Sequence, residues 1–204
     1  DVTDIDSPAI DRVVGVEESN DDYSISIDHS GNLSTTSEVL ESDYGTSFSL
    51  TVSADDNDPT DPLTVTESVT IRVMESISLD ESAWVTPGIT VAAVDDAIRI
   101  HQSGDPSAVI HESPSSQVSR IIIRGRSDET DHLTVDFGGG DPIPELGLQF
   151  LAGDTTNGDI LEIAGTSVPQ ITHFPETLDS GRVEVGAAVV EYTGVASLRD
   201  SLNA

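Results

Sequence analysis

The chain has 204 residues and a formal net charge of -30, from 38 acidic side chains against 8 basic ones, all of them arginine. That charge repels phosphate backbones and anionic lipid surfaces, so nucleic acid is excluded as an expected partner. With no cysteine and no lysine, thiolate metal sites, cysteine nucleophiles, Schiff bases and a phosphate-loop lysine are excluded as well.

Apolar runs are short, such as Ile121–Ile123, and none approaches the ~20 residues of a membrane span. The chain opens on Asp1 with no basic-then-apolar leader, which reads as a piece of a longer polypeptide. Two uses for the acids stand side by side. Most serve solubility in salty water, where self-repulsion is screened. A handful suit calcium, a hard cation that takes six to eight oxygens.

The predicted elements are nearly all strands. Ser24–Asp28, Phe48–Val52, Thr64–Val73, Ala97–Gln102, Arg120–Arg124, His132–Phe137 and Asp159–Ile163 alternate apolar with polar or β-branched residues. Gly, Pro, Asn and Asp clusters separate them, at Ser30-Gly31-Asn32, Asp55–Pro59, Ser103–Pro106, Gly138–Pro142 and Thr156–Asp159. The fold class is therefore all-β. Glu38–Tyr44 is expected to form one helical turn, and Ala196–Ala204 a short frayed tail.

Three segments follow. Residues 1–74 form one β module, 75–89 a linker, and 90–204 a second β module. Trp84, the sole tryptophan, falls in the linker and is expected to pack at the junction. In the second module, strand starts near 97, 108, 120, 132, 146 and 160 recur every ~11–14 residues. Asp95-Asp96, Asp131 and Asp159 each precede an alternating strand in the same phase. That phase favours a β-solenoid, with an antiparallel β-sandwich as the alternative. Asp131 and Asp159 are read as structural turn residues.

The Asp-rich loop from Asp55 to Asp58 cannot enter a core, because its carboxylates would be unsatisfied there. It belongs at the end of a sandwich, where calcium sites of several carboxylates are built. The residues around it resemble a known family. Asp4-Ile5-Asp6, Ile25–Leu33, Leu40–Asp43, Phe48–Asp56 and Val69–Val73 are similar, in order and spacing, to the motifs of cadherin repeats. The resemblance implies an N-terminally truncated, Ig-like β-sandwich in a cell-adhesion protein. It also implies calcium as the cofactor, with Asp4, Asp6 and Asp56 facing a site shared with the preceding repeat. Glu41 and Asp43 would face the site shared with the following one. The family's linker motif after the last strand is absent, and Met74-Glu75-Ser76 stands in its place.

A second resemblance covers residues 90–200. Leu133–Pro144, Gly147-Leu148, Gly158–Gly165 and Val190–Val195 are similar to a repeat of very large surface proteins of planctomycete-type marine bacteria. It implies an extracellular or cell-surface location. The implied partners are neighbouring modules of the same polypeptide, the chain itself, or another surface protein.

Catalytic motifs are sparse. His29, His101, His111, His132 and His173 form no zinc-binding pair at helical spacing, and no serine sits in a nucleophile elbow. Gly138–Gly140 precedes Asp141 and Pro142 rather than a helix, so it reads as a wide turn. Arg120, Arg124 and Arg126 beside Asp128 are the best argument for an enzyme, but no raised-pKa carboxylate pair accompanies them. The expectation is a non-enzymatic structural or adhesive segment. Two alternatives are a carbohydrate-binding or polysaccharide-active solenoid and a self-assembling surface-layer or filament subunit.

Overall fold

The computed structural model describes residues 13–18, 25–27, 33–35, 40–55, 64–84, 88–153, 158–166 and 170–203. These residues are nearly all strand, with no helix of seven or more residues. The chain divides into two compact units, Asp1–Val73 and Met74–Ala204.

The first unit carries β1 (Val13–Glu18), β2 (Ile25–Ile27), β3 (Leu33–Thr35), β4 (Ser47–Asp55) and β5 (Thr64–Arg72). β4 pairs antiparallel with both β1 and β5, giving a three-stranded sheet ordered β1-β4-β5. β2 and β3 form a separate antiparallel pair across the Ser30–Asn32 signal, with Ile27 opposite Leu33. The expected turn near Glu38–Tyr44 is a 3-10 turn at Glu41–Asp43.

The second unit begins at β6 (Glu75–Leu79), followed by β7 (Gly88–Val94), β8 (Ala97–Gln102), β9 (Asp105–Pro114) and β10 (Val118–Arg124). Next come β11 (His132–Asp136), β12 (Leu148–Leu151) and β13 (Ile160–Thr166). β14 (Ile171–Pro175), β15 (Ser180–Val185), β16 (Ala188–Thr193) and β17 (Ser197–Asn203) complete it.

Eight of these strands wind as a parallel coil of four turns. β6, β10, β12 and β16 lie side by side in one sheet, all parallel. β7, β11, β13 and β17 do the same in a second sheet. The chain alternates between the sheets, so each turn contributes one strand to each. Parallel pairing of successive turns is solenoid architecture, and it decides against the antiparallel sandwich.

Alternation along each strand builds the core. One inward row runs Ile77, Ile121, Leu148, Val190, and another Leu79, Ile123, Phe150, Tyr192. The facing sheet contributes Ile89, Leu133, Leu161, Leu198 and then Val91, Val135, Ile163. These side chains join one buried cluster, with Leu79 and Leu198 packed against it. At ~1.5–3 kcal/mol for each fully buried aliphatic or aromatic side chain, the rows are the main source of stability.

Two hairpins depart from the coil. β8 and β9 extend the second sheet beyond β7, and β15 and β14 extend the first sheet beyond β16, all antiparallel. This corrects three expectations. Asp95-Asp96 is the reversing turn of the hairpin from β7 to β8, not a coil turn, so the apparent single phase mixed two kinds of turn. Residues 75–89 are no linker, since β6 pairs with β10 and completes the first coil. The frayed tail at 196–204 is instead β17, held by parallel pairing with β13.

Candidate functional site

Asp4, Asp6 and Asp56 lie outside the described residues. Glu41 and Asp43 occupy the short 3-10 turn before β4. Asp43 Oδ2 accepts the Leu40 backbone N–H at 2.7 Å, and its main-chain carbonyl accepts from the Thr46 hydroxyl at 2.7 Å. The Ser42 hydroxyl donates to Asp43 Oδ1 at 3.5 Å, so both carboxylate oxygens of Asp43 are used by the turn, while Glu41 is exposed. Among the described residues, no group of three or more His, Asp or Glu side chains is placed to hold a metal ion.

Among the described residues, buried polar groups gather at a corner of the coil. Asp131 and Asp159, read as turn acids, precede the paired strands β11 and β13 and are stacked in successive turns. Both are fully buried. The Asp131 backbone N–H donates to Asp159 Oδ1 at 2.8 Å, and Ile160 N–H donates to the Asp131 carbonyl at 2.8 Å. The Asp131 carboxylate in turn accepts from Arg126 Nε at 2.9 Å, Nη2 at 2.8 Å and the Arg126 backbone N–H. Arg126 also pairs with Glu129.

Burial works against the Arg126 charge, but the hydrogen bonds to Asp131 and the charges of Asp131, Glu129 and Asp128 outweigh it and raise its pKa. The guanidinium stands 5.9 Å from the Trp84 ring centroid. Trp84 is buried, donates from Nε1 to the Arg124 carbonyl at 2.7 Å, and meets Phe150 at 6.2 Å between ring centroids. Its partners are therefore the second unit's own coil. Two glycines let the backbone close here. A Cβ on Gly153 would stand 2.0 Å from the Arg126 carbonyl oxygen, and one on Gly125 would stand 2.6 Å from Asp131 Oδ2.

The outer faces differ. On the sheet of β7, β11, β13 and β17, basic side chains meet acids. His132 Nε2 lies 2.7 Å from Glu162, and Arg99 pairs with Glu112. A hydrogen bond from Ser201 and the His132 contact hold the Glu162 carboxyl below its ordinary range, against partial burial. On the other sheet, Arg120 and Arg124 flank Ile122 on the outward side of β10, and among the described residues their guanidiniums meet no carboxylate. Arg126 has left that row for the corner. The expected alternation of three arginines along one strand face thus ends at two.

The remaining histidines are dispersed. His101 and His111 sit on neighbouring antiparallel strands, but His101 pairs in register with Val109 and His111 with Ile100, so the two do not converge. His111 Nε2 lies 3.0 Å from Glu75 on β6, and the Ser113 hydroxyl donates to the same carboxylate at 2.5 Å. His173 on β14 lies 3.1 Å from Asp200 on β17. Gly138–Gly140 is the expected turn, and Gly139 passes so close to Ala93 that a Cβ would stand 2.0 Å from its carbonyl oxygen.

Sequence reasoning missed both of these His–carboxylate pairs. Their signal is a carboxylate at an apolar position of a period-two strand: Glu75 two before Ile77, and Asp200 two after Leu198. Comparison with protein-family models, characterised proteins and solved structures returned no match.

Proposed function

We propose that the chain is a structural, adhesive segment of a large extracellular or cell-surface protein: a cadherin-like module followed by a β-coil module. The observation that carries this reading is where the buried polar groups go. Arg126 binds the Asp131 carboxylate and Asp159 binds the Asp131 backbone N–H from the next turn, so these buried groups are spent on the shape of the coil. A carboxylate engaged by three donors is a poor proton shuttle or nucleophile.

Calcium is the proposed cofactor, held by Asp4, Asp6 and Asp56 toward one neighbouring module and by Glu41 and Asp43 toward the other. Calcium there would neutralise clustered acids and stiffen the junctions. Thermal melting of the chain with millimolar calcium and then with chelator tests this. A calcium-dependent rise in the melting temperature is expected; superimposable curves would remove calcium from the proposal.

One observation favours a second reading. Among the described residues no carboxylate pairs with Arg120 or Arg124, which stand on a sheet face, and the arginine fork matches carboxylate and sulfate groups. An acidic glycan laid across that face is the corresponding ligand class. A glycan array gives the test, and an array on which R120A/R124A binds as well as the wild type would discard it.

A further inference from the structure

The two hairpins are alike in a way that points to a partner. At the first end of the coil, one sheet stops at β6 while the other continues by two strands, β8 and β9. At the last end, the sheets exchange roles: one stops at β17 while the other continues by two strands, β15 and β14. Each end is therefore a step two strands deep, and the two steps are opposite.

A carboxylate marks each place where a sheet stops. Glu75 shares the inward side of β6 with Ile77. On β17, Asp200 stands in register with Val91, Val135 and Ile163, but it is exposed there. Each acid is met by a histidine from the outermost strand of the longer sheet, His111 on β9 and His173 on β14. The hairpins thus reach across the ends and meet the opposite sheet through a His–carboxylate latch apiece, joined at the first end by the Ser113 hydroxyl, which donates to the same Glu75 carboxylate, while Ile110 and Ile171 pack against the core.

Strand direction completes the pattern. Each hairpin reverses the chain twice, so β14 runs in the direction of β16, and β9 in the direction of β7. If the latches open, the last end of one molecule fits the first end of another. β14 then lies parallel to the neighbour's β6, and the neighbour's β9 lies parallel to β17. Both new pairs repeat the parallel pairing within the coil, and both steps are filled.

We propose that the latches Glu75–His111 and Asp200–His173 keep shut a head-to-tail interface for a second copy of this chain. A strand edge left open is a template for pairing, and latched hairpins prevent it. Because the two ends are different surfaces, the contact is heterologous and grows into an open filament rather than a closed dimer. This goes beyond the structural reading above, since it names a partner and the surfaces used, and it does not depend on calcium.

The test opens one end at a time in the full chain. E75A/H111A releases the first end, removing the acceptor of Ser113 as well, and D200N/H173A releases the last. Light scattering after size exclusion, in about 1 M salt to screen the self-repulsion, reads the mass. Each variant alone is expected to stay monomeric, their mixture to double in mass, and a chain carrying all four substitutions to form filaments visible by electron microscopy. The wild type stays monomeric. A mixture that remains monomeric, with both variants retaining the wild-type circular dichroism, would overturn the proposal; so would a single-end variant that dimerises with itself. Should a histidine substitution cost the fold, E75A and D200A alone, which remove the acceptors of both latches, decide the matter by the same mixing.

Discussion

Removing the Asp131 carboxylate tests whether the corner holds the coil together. The Asp131 side chain is 0% exposed and that of Arg126 15%. In D131A, Arg126 loses the acceptor for its Nε, its Nη2 and its backbone N–H, and keeps the exposed Glu129, the charge of Asp128 and the Trp84 ring. Breaking a buried pair from one side costs about 3–5 kcal/mol, because the remaining charge is left uncompensated. With an m-value of about 2 kcal/mol/M for a unit of this size, a 4 kcal/mol loss moves the urea midpoint down by roughly 2 M. Trp84 is the sole tryptophan and lies beside Arg126, so its fluorescence follows the corner directly. The partner variant R126A strands a fully buried carboxylate and should cost as much. The double variant should cost less than the sum of the two, by about 0.5–3 kcal/mol, the range for residues in direct contact. A D131A cost under about 1 kcal/mol, or strict additivity in the double variant, would refute the reasoning.

Three further outcomes are expected. G153A should destabilise the second unit by more than about 2 kcal/mol, since its Cβ meets a backbone oxygen that cannot turn aside, whereas G138A, which meets only the Asp136 carboxylate, should cost less than about 1 kcal/mol; paired urea titrations compare them. F150A should cost about 3–5 kcal/mol in the same titrations, because Phe150 is fully buried and its removal leaves a cavity in the inward row. The Glu162 carboxyl is held below its ordinary range, so its contribution is complete above that range and is lost as pH falls through the lowered folded value. The stability gap between wild type and E162Q should accordingly narrow between pH 7 and pH 3, and a gap that widens on acidification contradicts the assignment.

Much of the coil was legible because its signal is local. Ile121, Ile123, Leu133, Val135, Leu161 and Ile163 alternate with polar residues, and all six are buried in the rows expected of them. Asp131 and Asp159 kept the same phase in consecutive turns because nothing is inserted between β11 and β13 except β12. The rest was hidden for a physical reason. β8 alternates like a coil strand, so period two alone could not tell an antiparallel excursion from the next turn. β6 and β17 are the end strands of their sheets, with Glu75 and Asp200 in line with the apolar rows, and an acid at such a position makes a strand look like a linker or a tail. Arg126 lay in register with Arg120 and Arg124, yet Gly125 ends the strand and the side chain turns to Asp131.

The spacing of the bare turn has a consequence for length. Between β11 and β13, register partners such as His132 and Ile160 are separated by one turn with no excursion, and both hairpins leave the coil beside its first or last turn. Duplicating residues 132–159 would therefore insert a whole turn into the middle without disturbing either end. Each such duplication should lengthen the unit by about 4.8 Å, the distance between neighbouring strands. A chain built this way is a ruler with a fixed gradation, and small-angle scattering of engineered variants with one, two and three added turns would read its scale.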